Sequence, residues 1–97
     1  MPTYITLMRY TAKGAAEFKG GPQRLDQAKE QAKRLGGDVK AFFLTMGRFD
    51  AVLVAEAPND EAYAAALVAT AQMGYVQTET MRAFTEDEYK KLAASLP

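Results

Sequence analysis

Two short apolar runs, residues 39–44 and 51–55, flank the segment Thr45-Met46-Gly47-Arg48-Phe49-Asp50. Apolar runs joined by a turn containing Gly and Asp predict an antiparallel hairpin. Both strands are apolar on both faces: Ala41 and Phe43 against Phe42 and Leu44, then Val52 and Val54 against Leu53 and Ala55. Upstream, residues 3–11 alternate, with Ile5 and Leu7 on one side and Tyr4, Thr6, Met8 and Tyr10 on the other. Downstream, residues 75–84 alternate Val76, Thr78, Thr80 and Arg82 with Gln77, Glu79 and Met81. A period of two predicts a first and a fourth strand.

Helical spacing fills the gaps. Ala12-Lys13-Gly14-Ala15-Ala16-Glu17-Phe18-Lys19-Gly20-Gly21 carries three glycines and no steady period, so it reads as a long loop with room for one helical turn and as a candidate lid. Pro22 suits a first helical position, and Leu25, Ala28, Ala32 and Leu35 then recur on one side until Gly36-Gly37. Glu30 is placed to pair with Lys33 or Arg34 on the wet side. Pro58-Asn59-Asp60-Glu61 supplies a turn, an N-cap and first-turn acids for a second helix ending near residue 72. That helix is almost uncharged and predicts burial on more than one side. Thr85-Glu86-Asp87-Glu88 is a capping box that opens a short helix running to about residue 96, with Tyr89, Leu92 and Leu96 expected to be buried.

The resulting order, βαββαβ, predicts an α+β, ferredoxin-like single domain over residues 1–97: a four-stranded antiparallel sheet, two helices on one face and a short C-terminal helix. The face without helices would carry several large apolar groups whichever register holds. Such a patch on a soluble protein usually marks an interface, so the expectation is a homodimer packed sheet to sheet about a two-fold axis. At roughly 25 cal/mol per Å², covering about 600 Å² per partner would contribute on the order of 15 kcal/mol before association costs. If the alanine-rich second helix is an interface too, trimers of dimers or rings follow.

Composition narrows the chemistry. With no cysteine there is neither a disulfide framework nor a thiolate metal site. With no histidine, a haem held by an axial His, zinc-hydroxide chemistry and Ser-His triads are excluded, and no metal or cofactor is expected. Met8, Met46, Met73 and Met81 read as core fillers rather than a soft metal environment. Twelve basic and twelve acidic residues cancel, so no nucleic-acid or anionic-lipid partner is indicated. RNA-recognition modules share the topology, and Gly47-Arg48-Phe49 is faintly like their signature. Leu53 or Val54 stands where a further aromatic would be needed, which argues against that reading. No apolar run approaches membrane-spanning length and the chain starts directly in strand-like sequence, giving a cytoplasmic, membrane-free protein as the expectation.

A family resemblance spans nearly the whole chain. Tyr4-Ile5-Thr6-Leu7, Arg9-Tyr10-Thr11, Gly14, Pro22, Arg24-Leu25, Leu35-Gly36-Gly37, the hairpin from Leu44 through Asp50, Glu56-Ala57-Pro58, Thr78-Glu79-Thr80 and Arg82-Ala83-Phe84-Thr85 together resemble the GYD domain family of small bacterial and archaeal proteins. The Gly, aromatic, Asp signature stands here as Gly47, Phe49 and Asp50, with phenylalanine where tyrosine is the more typical aromatic. The resemblance implies a fold similar to dimeric α/β-barrel proteins and leaves the biochemical role open.

Six residues stand out as ligand-binding candidates: Arg9, Tyr10, Arg48, Asp50, Glu79 and Arg82. Arg48 would clamp an anion and Asp50 accept a hydrogen bond. The plainer alternative has Gly47 supplying a positive φ and Asp50 bonding its own turn. Arg9, Glu79 and Arg82 fall on what read as the outer-lying first and fourth strands, where a cross-strand ion pair of Arg9 with Glu79 is the simple explanation. Thr6, Tyr10, Thr78 and Thr80 could line a cavity on the non-helical face. The favoured function is a homo-oligomeric small-molecule-binding or interaction module that holds a small organic ligand in or beside its sheet interface. One alternative is a cofactor-free monooxygenase or isomerase of the dimeric α/β-barrel type, using Asp50, Glu79 or a tyrosine as base. Another is a purely structural oligomer subunit.

Overall fold

The computed structural model describes all 97 residues. Strands β1 (Thr3–Tyr10), β2 (Asp38–Leu44), β3 (Ala51–Glu56) and β4 (Val76–Ala83) form one antiparallel sheet in the order β2-β3-β1-β4. This is the ferredoxin-like arrangement. It makes β1 an interior strand, not an outer-lying one, because β1 inserts between the hairpin and β4.

Register divides the side chains into two sets. Ile5 lies opposite Val54 and Met81, and Leu7 opposite Val52 and Glu79. Tyr4 lies opposite Ala55 and Arg82, Thr6 opposite Leu53 and Thr80, and Met8 opposite Ala51 and Thr78. Because successive side chains point to opposite faces, the Ile5 and Tyr4 sets occupy different sides. On the edge strand β2 the register shifts between Val39 and Ala41. Lys40 sits at this irregularity and reaches Asp38 at 3.6 Å and Glu56 at 3.7 Å. An irregular edge carrying a lysine discourages edge-to-edge pairing.

Helix α1 (Ala12–Ala16) and a 3-10 turn (Phe18–Gly20) occupy the stretch that reads as a loop. This segment is pinned to the start of β4. The Thr11 hydroxyl donates to the Gly74 carbonyl at 2.6 Å and accepts from the Gly14 amide at 3.1 Å. A Cβ at Gly14 would stand 2.0 Å from the Tyr75 carbonyl oxygen, so this glycine serves close approach, not mobility.

Helices α2 (Gly21–Arg34) and α3 (Asp60–Met73) cover the Tyr4 face. Asn59 caps α3 by accepting from the Ala62 amide at 2.9 Å, and Gly74 ends it at a φ of +79°. On the wet side of α2, Arg34 meets Glu30 at 3.6 Å. The core is small: Tyr4, Leu53, Ala55, Ala57 and Tyr63, with Met8, Leu25, Val39, Phe42 and Leu67 packed against it. Only nine of 97 residues are buried, because the two helices lean on opposite edges of the sheet, α2 on β2 and α3 on β4, and scarcely meet. In α3 only Tyr63 is buried, so burial on several sides does not occur within one chain.

Helix α4 (Glu86–Ser95) starts at the expected capping box, formed by Thr85 and Glu88. Its expected inward face is not buried. Tyr89, Leu92 and Leu96 are all exposed, since α4 has no extended packing against any other element. The sheet face carrying Ile5, Leu7, Ala41, Val52 and Val54 is likewise without a helix, and on it Phe43 is 61% and Met81 48% exposed. No helix is long and apolar enough to cross a membrane.

Candidate functional site

Because α2 and α3 stand apart, a cavity of about 530 Å³ opens between them and the sheet. Its floor is the Tyr4 set: Thr6, Met8 and Tyr10 from β1, Leu53 from β3, Phe42 from β2 and Thr78 from β4. One wall is Leu25, Ala28 and Ala32 of α2, and the other is Tyr63, Ala66 and Leu67 of α3. The alanines make room here. A helix period that brings small side chains inward keeps its axis near the sheet yet leaves the space between unfilled.

Polar chemistry on the floor is a cluster of hydroxyls. Thr6 is fully buried, and its Oγ1 lies 2.6 Å from the Tyr63 hydroxyl and 2.9 Å from Thr80 Oγ1. Burial pushes the Tyr63 phenol up, against the opposing effect of its hydrogen bond with Thr6. Its ring stacks on Tyr4 at 4.3 Å and 6°. Tyr4 in turn donates to the Asp60 carboxylate, and burial together with that bond pushes its phenol up to about 12. Both phenols therefore stay protonated near neutral pH, as hydrogen-bond donors rather than bases.

The six sequence-predicted residues fall in three places. Arg9, Arg48 and Glu79 surround a shallow polar pocket of about 210 Å³, with Phe49, Gln77 and Thr78. The expected Arg9–Glu79 ion pair is not formed. Register sets Arg9 opposite Gln77 and Glu79 opposite Leu7, and Arg9 instead donates to the Arg48 carbonyl at 3.1 Å with its guanidinium 4.7 Å from the Phe49 ring centre. That contact needs an aromatic face and no hydroxyl, which a phenylalanine supplies.

Tyr10 and Asp50 meet beside the hairpin. The Asp50 carboxylate accepts from the Tyr10 amide at 2.8 Å and its own amide donates to the Met8 carbonyl at 2.8 Å. Asp50 thus ties the hairpin to β1 instead of bonding only its own turn. Gly47 has the positive φ expected of it, +116°. The Tyr10 ring faces the large cavity and meets Phe18 edge-on at 5.7 Å. Arg82 lies at the far end of the sheet, opposite Tyr4, with its guanidinium 4.4 Å from the Phe84 ring and a bond to the Ala83 carbonyl.

The cavity is not where the sequence placed it. Thr6, Tyr10 and Thr78 line the helix-covered face and Thr80 bonds to Thr6 beneath it, whereas the expectation set all four on the non-helical face. Alternation groups these side chains correctly but does not say which group the helices will cover. Tyr63 and Arg24, which line the large cavity, are not among the six candidates. A lone tyrosine in an alanine run was the available signal for the first.

The GYD domain model matches residues 4–93. The "Glutamine synthetase and cystathionine beta-lyase binding protein" of Thermus thermophilus is 33% identical over 84 residues, covering 86% of this chain and 88% of that protein. The crystal structure of a hypothetical protein from Pyrococcus horikoshii superposes with a TM-score of 0.56 at 23% identity, covering 89% of this chain and 93% of the other. A second crystal structure, from Thermus thermophilus, gives 0.54 at 21% identity, with coverage of 88% and 95%. At such identities the two structures speak to the fold alone. The family match and the Thermus relative place the chain in the GYD domain family.

Proposed function

We propose that this protein is a homodimeric small-molecule-binding module that holds an apolar organic ligand between its helices and its sheet. The observation that carries this reading is the helix–sheet cavity. At about 530 Å³ it falls within the ~300–1,000 Å³ range of pockets that take small organic ligands, and it has the usual composition of apolar walls with a few fixed polar groups. Support for pairing comes from the uncovered aliphatic sheet face, which a second copy would shield. The test is a fluorescence titration with the apolar probe 1-anilinonaphthalene-8-sulfonate. Wild type should bind saturably, and the cavity-filling double variant Ala32→Phe/Ala66→Phe should bind at least about tenfold more weakly with its solution mass unchanged. Equal binding by the two proteins would contradict the reading.

A second reading, a protein-interaction module, is favoured by the Thermus relative, whose name assigns it binding of glutamine synthetase and cystathionine beta-lyase. Under that reading the same double variant would retain its protein contacts, since they would use the outer surfaces.

A further inference from the structure

The cavity is long and unevenly charged. Its α2 wall runs from Gly21 to Leu35, about 20 Å at ~1.5 Å of rise per residue, which suits an extended chain better than a compact ring. Only two charged residues line it, Arg24 and Glu56, and they belong to opposite ends. Glu56 is already compensated by Lys40 at 3.7 Å.

Arg24 is not compensated. Its guanidinium carbon lies 4.0 Å from the centre of the Tyr75 ring, and Nη2 donates to the Glu17 carbonyl at 3.0 Å. Lys13 sits 4.5 Å from the centre of the same ring and donates to the Met73 carbonyl at 3.1 Å. Neither cation is within salt-bridge distance of a carboxylate. One aromatic ring therefore holds two unpaired positive charges at one end of an apolar slot. A guanidinium with free N–H groups in such a place pairs best with a planar anion.

The hydroxyls deeper in the slot make no matching demand. Thr6, Tyr63 and Thr80 satisfy one another, and no buried side-chain polar atom is without a partner. A hydrocarbon chain can lie over them without stranding a donor.

From this arrangement we infer that the slot takes an amphipathic carboxylate, its head group at Arg24 and Lys13 and its unbranched apolar tail along α2. The inference rests on the ligand-slot reading above and adds the ligand class and its orientation.

Calorimetric titration with decanoate and 1-decanol, equal in chain length and different in charge, separates the two ideas. Wild type is expected to bind decanoate at least about tenfold more tightly than 1-decanol, and added sodium chloride should weaken only decanoate. In Arg24→Met the preference should fall to near parity, and Lys13→Met should lose a smaller part of it. Equal wild-type affinities for acid and alcohol would overturn the head-group assignment and leave the slot standing. A preference that survives in Arg24→Met would overturn the assignment as well. Binding of neither compound would remove both the assignment and the slot.

Discussion

The two faces of the sheet differ in a way opposite to their coverage. The face under the helices carries hydroxyls and phenols: Tyr4, Thr6 and Tyr10 from β1, Thr78 and Thr80 from β4. The face with no helix is the more aliphatic over its central strands, with Ile5, Leu7, Val52 and Val54 side by side. Polar groups are costly where water is excluded unless they are bonded, and apolar groups are costly where water is not excluded. The covered face meets its cost by bonding its hydroxyls to one another and leaves a cavity. The uncovered face has no remedy within one chain, which is why a second copy is proposed to lie against it.

Adjacent residues on opposite faces give the sharpest way to break this comparison. Leu53 is nearly buried against Tyr4 and Tyr63, whereas Val54 points to the uncovered side. Leu53→Ala should cost about 2–5 kcal/mol, a large share of the stability of so small a core, and appear as a lower midpoint in urea denaturation. Val54→Lys should leave the far-UV circular dichroism intact and weaken self-association by at least about a hundredfold, since pairing would bury an uncompensated ammonium. Reversed outcomes, with Val54→Lys unfolding the chain and Leu53→Ala harmless, would show that the faces have been assigned to the wrong roles.

A smaller effect sharpens the covered side. Tyr4 and Tyr63 have raised phenol pKa values in the folded protein, Tyr4 to about 12. A folded pKa above the unfolded value means that the stabilisation is complete below pH 10 and is lost as pH climbs from 10 towards 12. Ultraviolet titration of Tyr4→Phe and Tyr63→Phe against wild type should therefore show that the absorbance lost in each variant is that which develops above pH 10, together with falling wild-type stability over that interval. Ionisation of Tyr4 at its ordinary value near pH 10 in folded protein would contradict the buried, stacked pair.

Strand faces were legible because alternation depends only on the pleat, and β1 and β4 keep it through Tyr10 and Arg82. Helix ends were legible at Asn59, Gly74 and the Thr85–Glu88 box, where local bonds decide the geometry. The segment from Ala12 reads as a loop with room for one helical turn, and the turn is there as α1, but its docking is not legible because Gly14 meets a need set by a distant partner, the Tyr75 carbonyl. Tyr89, Leu92 and Leu96 have helical spacing, but spacing does not say whether a surface exists for them to pack on. The site was the least legible part. Arg9, Arg48 and Glu79 do come together, yet the larger cavity depends on how far apart α2 and α3 stand, a tertiary quantity with no local signature.

Sedimentation equilibrium at micromolar concentration tests the contrast between the faces most directly. The account predicts a mass of twice 10.6 kDa or a higher even multiple for wild type and 10.6 kDa for Val54→Lys. A wild-type protein that sediments at 10.6 kDa would contradict it, because the aliphatic face would then be stable in water alone.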